Sequence, residues 1–456
     1  MSNASPFDVA IIGGGAAGTL VAIHLLQASR AQARIAVVEA RAALGEGAAY
    51  STRQPDHLLN VIAERMSAFD SDPGHFVRYL EQRDAVRGDS AGDIATATRF
   101  ARRMDYAEYL RDTLATLADP ARLHCRDEAV ELVDGPAYTI GLRSGVRIQA
   151  RAVVLALGNF VRPLPIAVAP AATPSILHAW DYAAVAGLPP DADVCIAGSG
   201  LSMVDAVVSL AQQQHRGRIV VVSRHGLLPL AHARPGSQDS NVDALTQLGL
   251  RQRVSALRGQ VAERARAGEP WQWSMDRLRR HGPALWRSLD PRDQRRFLRH
   301  VVRLWDIHRH RIAPNIAAVV DGLRRSGQLE VLAGHLRAVD ADAAQLRLLI
   351  QPRRTQHTRV LRISHLINCT GVETRLQRMH SPLLASLGAQ GMVAPGPHEI
   401  GMACDAQGAL LAADGTPQPR LLTLGAMRIG QCWESIAIPE LRGQAEQIGA
   451  RLAAAR

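Results

Sequence analysis

The chain of 456 residues contains no lysine, so all 53 of its basic residues are arginines, and its formal net charge is +11. Without lysine, neither a P-loop lysine nor a lysine Schiff base can take part in the chemistry. A basic set made only of arginine is typical of codon bias in a GC-rich genome. We therefore do not take the charge as an indication of nucleic-acid binding, and we expect no nucleic-acid partner.

Cysteine is also sparse, and none of the five cysteines belongs to a C-x-x-C motif. This argues against a dithiol redox pair and a zinc knuckle, and an odd, scattered set suits a reducing compartment. No uninterrupted apolar run reaches the ~18 residues that a transmembrane helix needs. No cationic segment precedes the first apolar stretch, as a signal peptide would require. These absences predict a cytoplasmic protein with no membrane partner and no metal site.

Aromatic residues make up only 4% of the chain, whereas 47% of its residues are hydrophobic. This composition is typical of a globular protein packed with aliphatic and alanine side chains. The length exceeds what a single hydrophobic core usually supports, so we expect two or three domains.

Residues 11–18 carry three glycines in the spacing G-x-G-x-x-G, namely Gly13, Gly15 and Gly18. An apolar run precedes them at 7–12, a helix-like segment follows at 19–29, and a second apolar run at 34–40 contains Glu39. In such a unit the glycines provide a tight turn, close approach to a pyrophosphate and packing of the helix on the strand. The pyrophosphate lies at the helix N-terminus, here Ala16 and Ala17, and the acid binds a ribose. The pattern predicts an FAD site.

A second, looser copy of this unit lies at 193–226. It has Gly198 and Gly200 before a helix that starts with Leu201 and Ser202, and Met203 replaces the third glycine. Its second strand ends in Ser223, Arg224 and His225. An arginine where the first unit has an acid favours a 2′-phosphate over a free ribose hydroxyl, so this unit predicts NADPH binding. The alternative is that Arg224 is a solvated surface residue.

Three further segments have the features of strand-to-loop joints at nucleotide sites, and they contain Gly158, Gly371 and Gly425. A helix-like segment at 433–452 follows the last joint and has Ser435 and Ile436 near its start, with Pro439 as a possible first helical residue. We therefore predict an α/β protein with two Rossmann-like, three-layer domains. Residues 1–165 and 372–456 form the FAD-binding domain, and 166–371 form the NAD(P)H-binding domain with a helical insertion at 235–315.

This arrangement of two dinucleotide folds resembles the two-domain flavoproteins of the glutathione-reductase superfamily. Five strings resemble the FAD/NAD(P)-binding proteins of the YdhS type: GAAYSTRQPDHLLNVIAERMSAF (47–69), GLSMVDA, SRHGLLP, WDIHRHRIAP and CWESIAIPELRGQA. They span most of the chain. The resemblance implies FAD and NADP(H) as cofactors and the two-domain architecture, but it implies no substrate.

A second resemblance concerns chemistry. LNVIAERMSAFDSDP (59–73) is similar to the flavin-side segment of class B flavin monooxygenases, and GSGLSMVD (198–205) is similar to their G-x-G-x-S-x-x-D pattern. The likeness implies that Asn60 is catalytic, hydrogen-bonding an oxygen adduct at flavin C4a, and that Arg65 and Met66 lie in the cofactor site. The alternative is that Asn60 only caps a turn under the flavin. HAWDY matches the end of their linking motif through His178 and Tyr182, but the upstream F-x-G is absent.

Residues 251–311 contain 16 arginines and four tryptophans among periodic apolar residues, which predicts the helical insertion. It either caps the active site and presents arginines to an anionic substrate, or it is a solvated helical face. The string HRHR at 308–311 is expected on a basic helix surface rather than in a metal or phosphate site. Cys432 is expected to be a buried structural thiol rather than a redox centre.

These patterns favour an NADPH-dependent, FAD-containing monooxygenase. It would transfer one oxygen atom from a C4a-hydroperoxyflavin to a small-molecule amine, sulfur or carbonyl carbon. The alternative is a flavin-dependent NAD(P)H reductase or dehydrogenase of another acceptor, which needs no oxygen adduct. A third hypothesis is a flavin-binding redox sensor that uses the basic helical face as a docking surface.

Overall fold

The computed structural model describes residues 5–87, 95–234, 236, 242–279, 281–342 and 345–455. Within these ranges the chain forms two eight-stranded sheets and one two-stranded sheet, together with helices, which confirms the predicted α/β class. In the same ranges, no helix is both long enough and apolar enough to cross a membrane.

The strands are β1 Phe7–Ile12, β2 Ile35–Val38, β3 His124–Cys125, β4 Ala129–Val133, β5 Tyr138–Leu142, β6 Arg147–Leu155, β7 Phe160–Val161, β8 Ala167–Val168, β9 Ile176–His178, β10 Val194–Ala197, β11 Ile219–Ser223, β12 Leu329–Asp342, β13 Gln345–Pro352, β14 Arg359–Ile363, β15 His365–Asn368, β16 Val372–Glu373, β17 Ala409–Leu411 and β18 Pro417–Thr423.

The helices are α1 Ala16–Ala28, α2 Gly47–Tyr50, α3 His75–Arg87, α4 Arg103–Ala115, α5 Pro120–Leu123, α6 Tyr182–Ala186, α7 Leu201–Gln212, α8 Asp243–Thr246, α9 Leu250–Arg266, α10 Trp271–Arg279, α11 Gly282–Arg287, α12 Pro291–Arg296, α13 Val302–Arg309, α14 Pro314–Arg325, α15 Pro382–Ala389 and α16 Ile438–Ala454. A π-helical turn at Phe297–Val301 joins α12 to α13.

The first sheet has a parallel centre in the order β18-β6-β1-β2-β3. Ile12 at the end of β1 pairs with Val38 and Leu155, and Leu155 pairs with Thr423. The carboxyl ends of four parallel strands therefore lie at one edge of this sheet. That edge is where ligands bind in open α/β sheets.

The two faces of the first sheet bury different layers, because alternate residues of a strand point to opposite sides. Val9 and Ile11 pack with α1, α4 and α16, whereas Ala10 and Ile12 pack with β4, β5 and α15. The first sheet thus has helices on one face. Its other face is covered largely by an antiparallel strand pair, which the period of the sequence did not indicate.

The second sheet has the order β9-β15-β10-β11-β12-β13-β14, and all its strands lie within 167–368. Neighbouring strands run parallel from β9 through β15, β10 and β11 to β12. Strands β13 and β14 continue the sheet as an antiparallel meander. Strands β7 and β16 pair with each other where the chain passes between the two units. The domain boundaries themselves stay a prediction.

Residues 243–309 are almost entirely helical and contain α8 to α13, which confirms the helical character predicted for this stretch. The helices have apolar clusters of their own, one around Leu245 and Leu278 and another around Trp286 and Phe297. Of the segment 235–240, at which the insertion was predicted to begin, only Gly236 lies within the described residues.

Candidate cofactor and active site

The first glycine turn follows β1 and is dictated partly by packing. Gly13 has a φ of +103°, and a Cβ there would lie 2.3 Å from the carbonyl oxygen of Ala156. A Cβ on Gly18 would lie 1.9 Å from the carbonyl oxygen of Gly13, where α1 packs on β1. Packing within the protein therefore requires glycine at these two positions, whether or not a ligand binds.

Gly15 has a different role, because a Cβ there would meet only the backbone of Gly47, at 3.2 Å from its Cα. Gly15 precedes α1, and no side chain caps the helix, whose first two residues are Ala16 and Ala17. The start of α1 thus presents backbone N–H groups over a bare glycine, and this arrangement suits a phosphate.

Glu39 lies next to this turn because β2 ends opposite β1. Its Oε2 accepts a hydrogen bond from the Gly14 N–H at 2.9 Å, and its Oε1 accepts one from the Arg41 N–H at 2.9 Å. The Glu39 carbonyl is 2.8 Å from His124 Nε2. The carboxylate is held in place and only partly buried, so its remaining lone pairs can accept bonds from ribose hydroxyls.

The same edge of the sheet carries the other predicted residues of the first unit. Gly158 follows β6 with a φ of +65° and is exposed. Gly425 follows β18 with a φ of +70°; its N–H donates to Gln444 Oε1 of α16 at 3.1 Å. Ser435 Oγ donates to the Gly425 carbonyl at 2.8 Å, and Ile436 is 42% exposed. Helix α16 begins at Ile438, directly before Pro439, close to the predicted start.

The second glycine turn follows β10. Gly198 has a φ of +105°, and a Cβ there would lie 2.1 Å from the carbonyl oxygen of Cys369. A Cβ on Gly200 would meet no atom within 4 Å, and no side chain caps α7, which begins with Leu201 and Ser202. Gly371, with a φ of +100°, follows the neighbouring strand β15 and is exposed. The open backbone at Gly200 is a second phosphate cradle.

A cluster of cationic side chains lies beside this second turn. Arg224 and His225 follow β11 and are exposed, and Ser223 Oγ accepts a hydrogen bond from Ser199 Oγ at 2.9 Å. Partial burial and the positive charges of Arg353, Arg224, Arg303 and His335 lower the pKa of His225. His335 and Arg353 belong to the β12–β13 hairpin; the Arg353 N–H donates to the Ala333 carbonyl, and Ala333 pairs with Ser223.

Asn60 lies between the two units. It lines a narrow cleft together with Leu201 and Asp205 of α7 and with Ile312. The carbonyl of Asn60 lies 3.0 Å from His232 Nε2, and within the described residues its side-chain amide has no hydrogen-bond partner. The amide is available to a ligand that enters this cleft.

His232 holds the backbone of Asn60 in place and is neutral. A carbonyl can only accept, so Nε2 carries the proton of the imidazole. Burial and the positive charge of Arg311 lower the pKa of His232 to about 4. Arg311 forms an ion pair with Asp276 of α10, and Arg65 Nη1 lies 3.9 Å from the same carboxylate. The predicted residue Arg65 thus lies near Asn60, whereas Met66 is buried in the core of the first unit.

Contacts of the HAWDY segment (178–182) and of His57 join the two units. The hydroxyl of Tyr182 donates to the Ala48 carbonyl at 3.0 Å, next to Gly47, which covers Gly15. His178 is half-buried, and its Nδ1 accepts the Trp180 N–H at 3.2 Å. His57 Nε2 lies 2.9 Å from Ser209 Oγ and 3.0 Å from the Asp205 carbonyl of α7. The structure therefore places Tyr182 in an interdomain contact, whereas the contacts of His178 stay within the second unit.

The expectation that 308–311 form a solvated basic surface is wrong. The side chain of Arg309 is 8% exposed and its Nε lies 2.7 Å from Glu434 Oε2, and that of Arg311 is 3% exposed beside Asp276. Arg309 pairs with the buried carboxylate of Glu434 and Arg311 with the half-buried carboxylate of Asp276, and the local spacing could not indicate either partner. Cys432 is half-buried, with Arg428 Nη2 at 3.8 Å from its sulfur. No group of three or more His, Cys, Asp or Glu side chains that could hold a metal occurs among the described residues.

Several residues of this region were not predicted from the sequence, above all Arg103, His232, His335 and Arg353. None belongs to a recognisable motif. His232 reaches Asn60 across 172 positions of sequence. Only the register of the β12–β13 hairpin brings His335 and Arg353 to the end of β11.

Comparison with known proteins bears on this geometry. The family described as FAD-NAD(P)-binding matches residues 10–160. A comparison with curated proteins found no match.

Three solved structures illustrate the similarity of the whole chain. The ornithine N-hydroxylase of Kutzneria sp. 744 is 16% identical, with a TM-score of 0.67 and coverage of 98% of this chain and 99% of that chain. The cadaverine monooxygenase of Erwinia amylovora, solved with FAD, is 10% identical, with a TM-score of 0.68 and coverage of 99% and 95%. The thioredoxin reductase of T. acidophilum is 11% identical, with a TM-score of 0.53 and coverage of 99% of both chains.

At these identities the similarity establishes the fold alone. It is the fold of flavoproteins with two dinucleotide-binding domains, shared by amine-hydroxylating monooxygenases and by thioredoxin reductase. The predicted resemblance to this class of flavoprotein is confirmed.

Proposed function

We propose that this protein is an NADPH-dependent, FAD-containing monooxygenase acting on a small organic molecule. The observation that carries the proposal is the position of Asn60. A polar side chain of the first unit, with a free amide, lines the same cleft as Leu201 at the start of α7. The cleft therefore lies between the first unit and the helix that follows the second glycine turn.

The residues present fit two dinucleotides. Gly15 and Gly200 leave bare backbone at two uncapped helix starts, and Glu39 is fixed beside the first of them. We assign FAD to the first unit, with the residues at the edge of its sheet: Gly13, Gly15, Ala16, Ala17, Gly18, Glu39, Gly158, Gly425, Ser435 and Ile436, and with Asn60 and Arg65 on the side of the flavin that faces the second unit. Gly371 follows β15 of the second sheet and Met66 is buried in the core of the first unit, so neither lies at this edge. We assign NADPH to the second unit, with Gly198, Gly200, Leu201, Ser202, Ser223, Arg224 and His225.

The proposal keeps the predicted domain division, which two separate sheets joined by the β7–β16 pair support. A bound flavin supplies hydride acceptance and activation of O2. The chain supplies position and charge. Arg224, with His335 and Arg353 beside it, offers cations to a 2′-phosphate. Neutral His232 donates to the carbonyl of Asn60 and fixes the backbone that carries the amide.

The names of the first two neighbours support an oxygen-transferring reaction, since they denote an ornithine N-hydroxylase and a cadaverine monooxygenase. The Asn60 amide can both donate and accept hydrogen bonds. It can therefore hold an oxygen-derived group beside a bound flavin, in a site from which water is excluded. Holding that group in place slows its release as peroxide, and this is the role we assign to Asn60.

The test is rapid mixing of the NADPH-reduced, FAD-loaded protein with O2. The expected result is a transient whose absorbance differs from those of both oxidised and reduced flavin. Asn60→Ala should shorten the life of this transient about tenfold or more and so release peroxide faster. Flavin content and hydride transfer should change little. Asn315→Ala, an exposed asparagine in α14, is the matched control.

A flavin-dependent reductase is the second candidate, favoured by the match to thioredoxin reductase. The same experiment separates the two functions. Direct return to oxidised flavin with no transient, in both wild type and Asn60→Ala, contradicts the monooxygenase and favours the reductase.

A further inference from the structure

The helical insertion lines an open cavity of about 510 Å³ that the two glycine turns do not account for. Its walls come from α9, α10, α11 and the π-turn with α13, and Trp433 closes one side. This volume lies in the range of small-molecule sites, which usually measure ~300–1,000 Å³.

The lining is strongly apolar and aromatic. Four indoles face the cavity region: Trp271, Trp286, Trp305 and Trp433. Trp286 and Trp433 stack with ring centroids 5.1 Å apart, and Phe297 packs on Trp433 edge-on at 5.4 Å. Leucine and valine side chains of α9 and α11 complete the walls. Such walls bind flat, apolar molecules by area burial and ring stacking.

The charged groups in the lining disfavour a cationic ligand. Among the described residues of the lining the titratable ones are Arg253, Arg258 and His308, without an aspartate or glutamate. Arg253 is buried and donates to the carbonyls of Leu285 at 2.5 Å and Leu248 at 2.9 Å. An ammonium group in this cavity would be attracted to the indole faces but repelled by the arginines, with no carboxylate in the described lining to offset the repulsion.

Residues that line the cavity are close in sequence to residues that contact both proposed cofactor sites. Trp305 Nε1 donates to Glu434 Oε1 at 2.7 Å, and Trp433 is two residues from Ser435, which holds the Gly425 carbonyl. Two residues before Trp305, Arg303 Nη2 donates to the Ser199 carbonyl at 3.1 Å in the second turn. One wall of the cavity is thus built from the segments that contact both turns.

We propose that this cavity binds the apolar, ring-bearing part of a neutral small-molecule substrate. The proposal rests on the proposed function only in calling the ligand a substrate. Whether the cavity binds such a molecule does not depend on that function. It separates this protein from enzymes whose substrates are free diamines or amino acids, because the described lining offers an ammonium group arginines and no carboxylate.

The probe is N-phenyl-1-naphthylamine, a neutral apolar amine that fluoresces in apolar sites, added to the FAD-loaded protein. We expect saturable binding with one site per chain, confirmed by calorimetry, and no displacement by a large excess of cadaverine. Val261→Phe, which fills the cavity from α9, should weaken binding tenfold or more. Ala265→Phe, exposed on the same helix and outside the lining, should change it less than twofold.

Leu304→Trp provides a second filling variant at a position that is 44% exposed, so it should not impair folding. Flavin content and the unfolding midpoint of each variant are measured alongside. Binding that is absent, that both filling variants leave intact, or that cadaverine displaces overturns the proposal. So does a dimer in size-exclusion chromatography that excludes the probe, since a second copy would then cover the cavity. Probe binding without any oxygen transfer would instead contradict only the proposed function.

Discussion

Arg103 at the start of α4 forms a two-point ion pair with Asp205 of α7, with Nη1–Oδ2 at 2.7 Å and Nη2–Oδ1 at 2.9 Å. The side chains are only 14% and 12% exposed. Helix α4 packs in the core of the first unit and α7 in the core of the second, so this pair joins the two units. Asp205 is the last residue of the matched G-x-G-x-S-x-x-D pattern, and in this structure its side chain acts between units.

Replacing Asp205 should destabilise the protein because it leaves the charge of Arg103 without a partner. Asp205→Ala strands the Arg103 guanidinium in a largely buried place, and breaking such a pair from one side typically costs about 3 kcal/mol. The measurement is urea unfolding followed by tryptophan fluorescence. Asp191→Ala, which removes the partner of Arg216 in an exposed ion pair, should leave the unfolding midpoint unchanged. Equal effects of the two substitutions would refute the structural role of the pair.

Gly200→Ala should impair nucleotide binding without affecting folding. A Cβ at Gly200 meets no protein atom within 4 Å, and its φ of −90° is open to alanine. Any effect must therefore come from a ligand that approaches the backbone. We expect NADPH affinity to fall tenfold or more, measured by calorimetry, with flavin content unchanged. Gly259→Ala in α9 is the control, since its Cβ also meets nothing. Unaltered NADPH affinity would show that the pyrophosphate does not lie at this turn.

Arg224 and Arg353 should both determine the preference for NADPH over NADH. A charge-assisted hydrogen bond contributes roughly 1.5–3 kcal/mol, so Arg224→Ala and Arg353→Ala should each weaken NADPH tenfold or more. NADH affinity should hardly change, because it lacks the 2′-phosphate. Arg347→Ala, on β13 and 3.2 Å from Asp340, is the control. If NADH and NADPH weaken equally, the arginines do not face a 2′-phosphate.

His232 should make the stability of the protein fall as the pH decreases. Its pKa is about 4 in the folded chain because of burial and the charge of Arg311, against 6.5 when unfolded. The unfolded state therefore takes up the proton first, and stability is lost as the pH falls from about 6.5 towards 4. Between pH 7 and pH 5 the loss from this group is about 2 kcal/mol.

His232→Gln isolates this contribution, because the amide keeps a donor for the Asn60 carbonyl but does not titrate. The free energy of unfolding of wild type minus that of the variant should decrease from pH 7 to pH 5. All other groups titrate in both proteins and cancel. A difference that stays constant over this interval would mean that His232 is not held in its neutral form.

Local sequence was sufficient for much of the fold. An apolar run, a glycine turn and a helix predicted β1 and α1 and then β10 and α7, because each of these elements depends on neighbouring residues. The glycine spacing also pointed to Gly13 and Gly198, where the positive φ and the close carbonyl contacts tolerate only glycine.

Contacts between distant segments were decided by tertiary structure alone. The string HRHR has the pattern of a solvated basic surface, yet Arg309 is neutralised by Glu434 from the other unit. The pairing of His232 with Asn60 and the approach of Arg353 to Arg224 depend on strand register and on the docking of two units. Spacing along the chain reports which side of an element a residue occupies. The partner of a buried charge, and the shape of a cavity between helices, arise only when whole elements pack together.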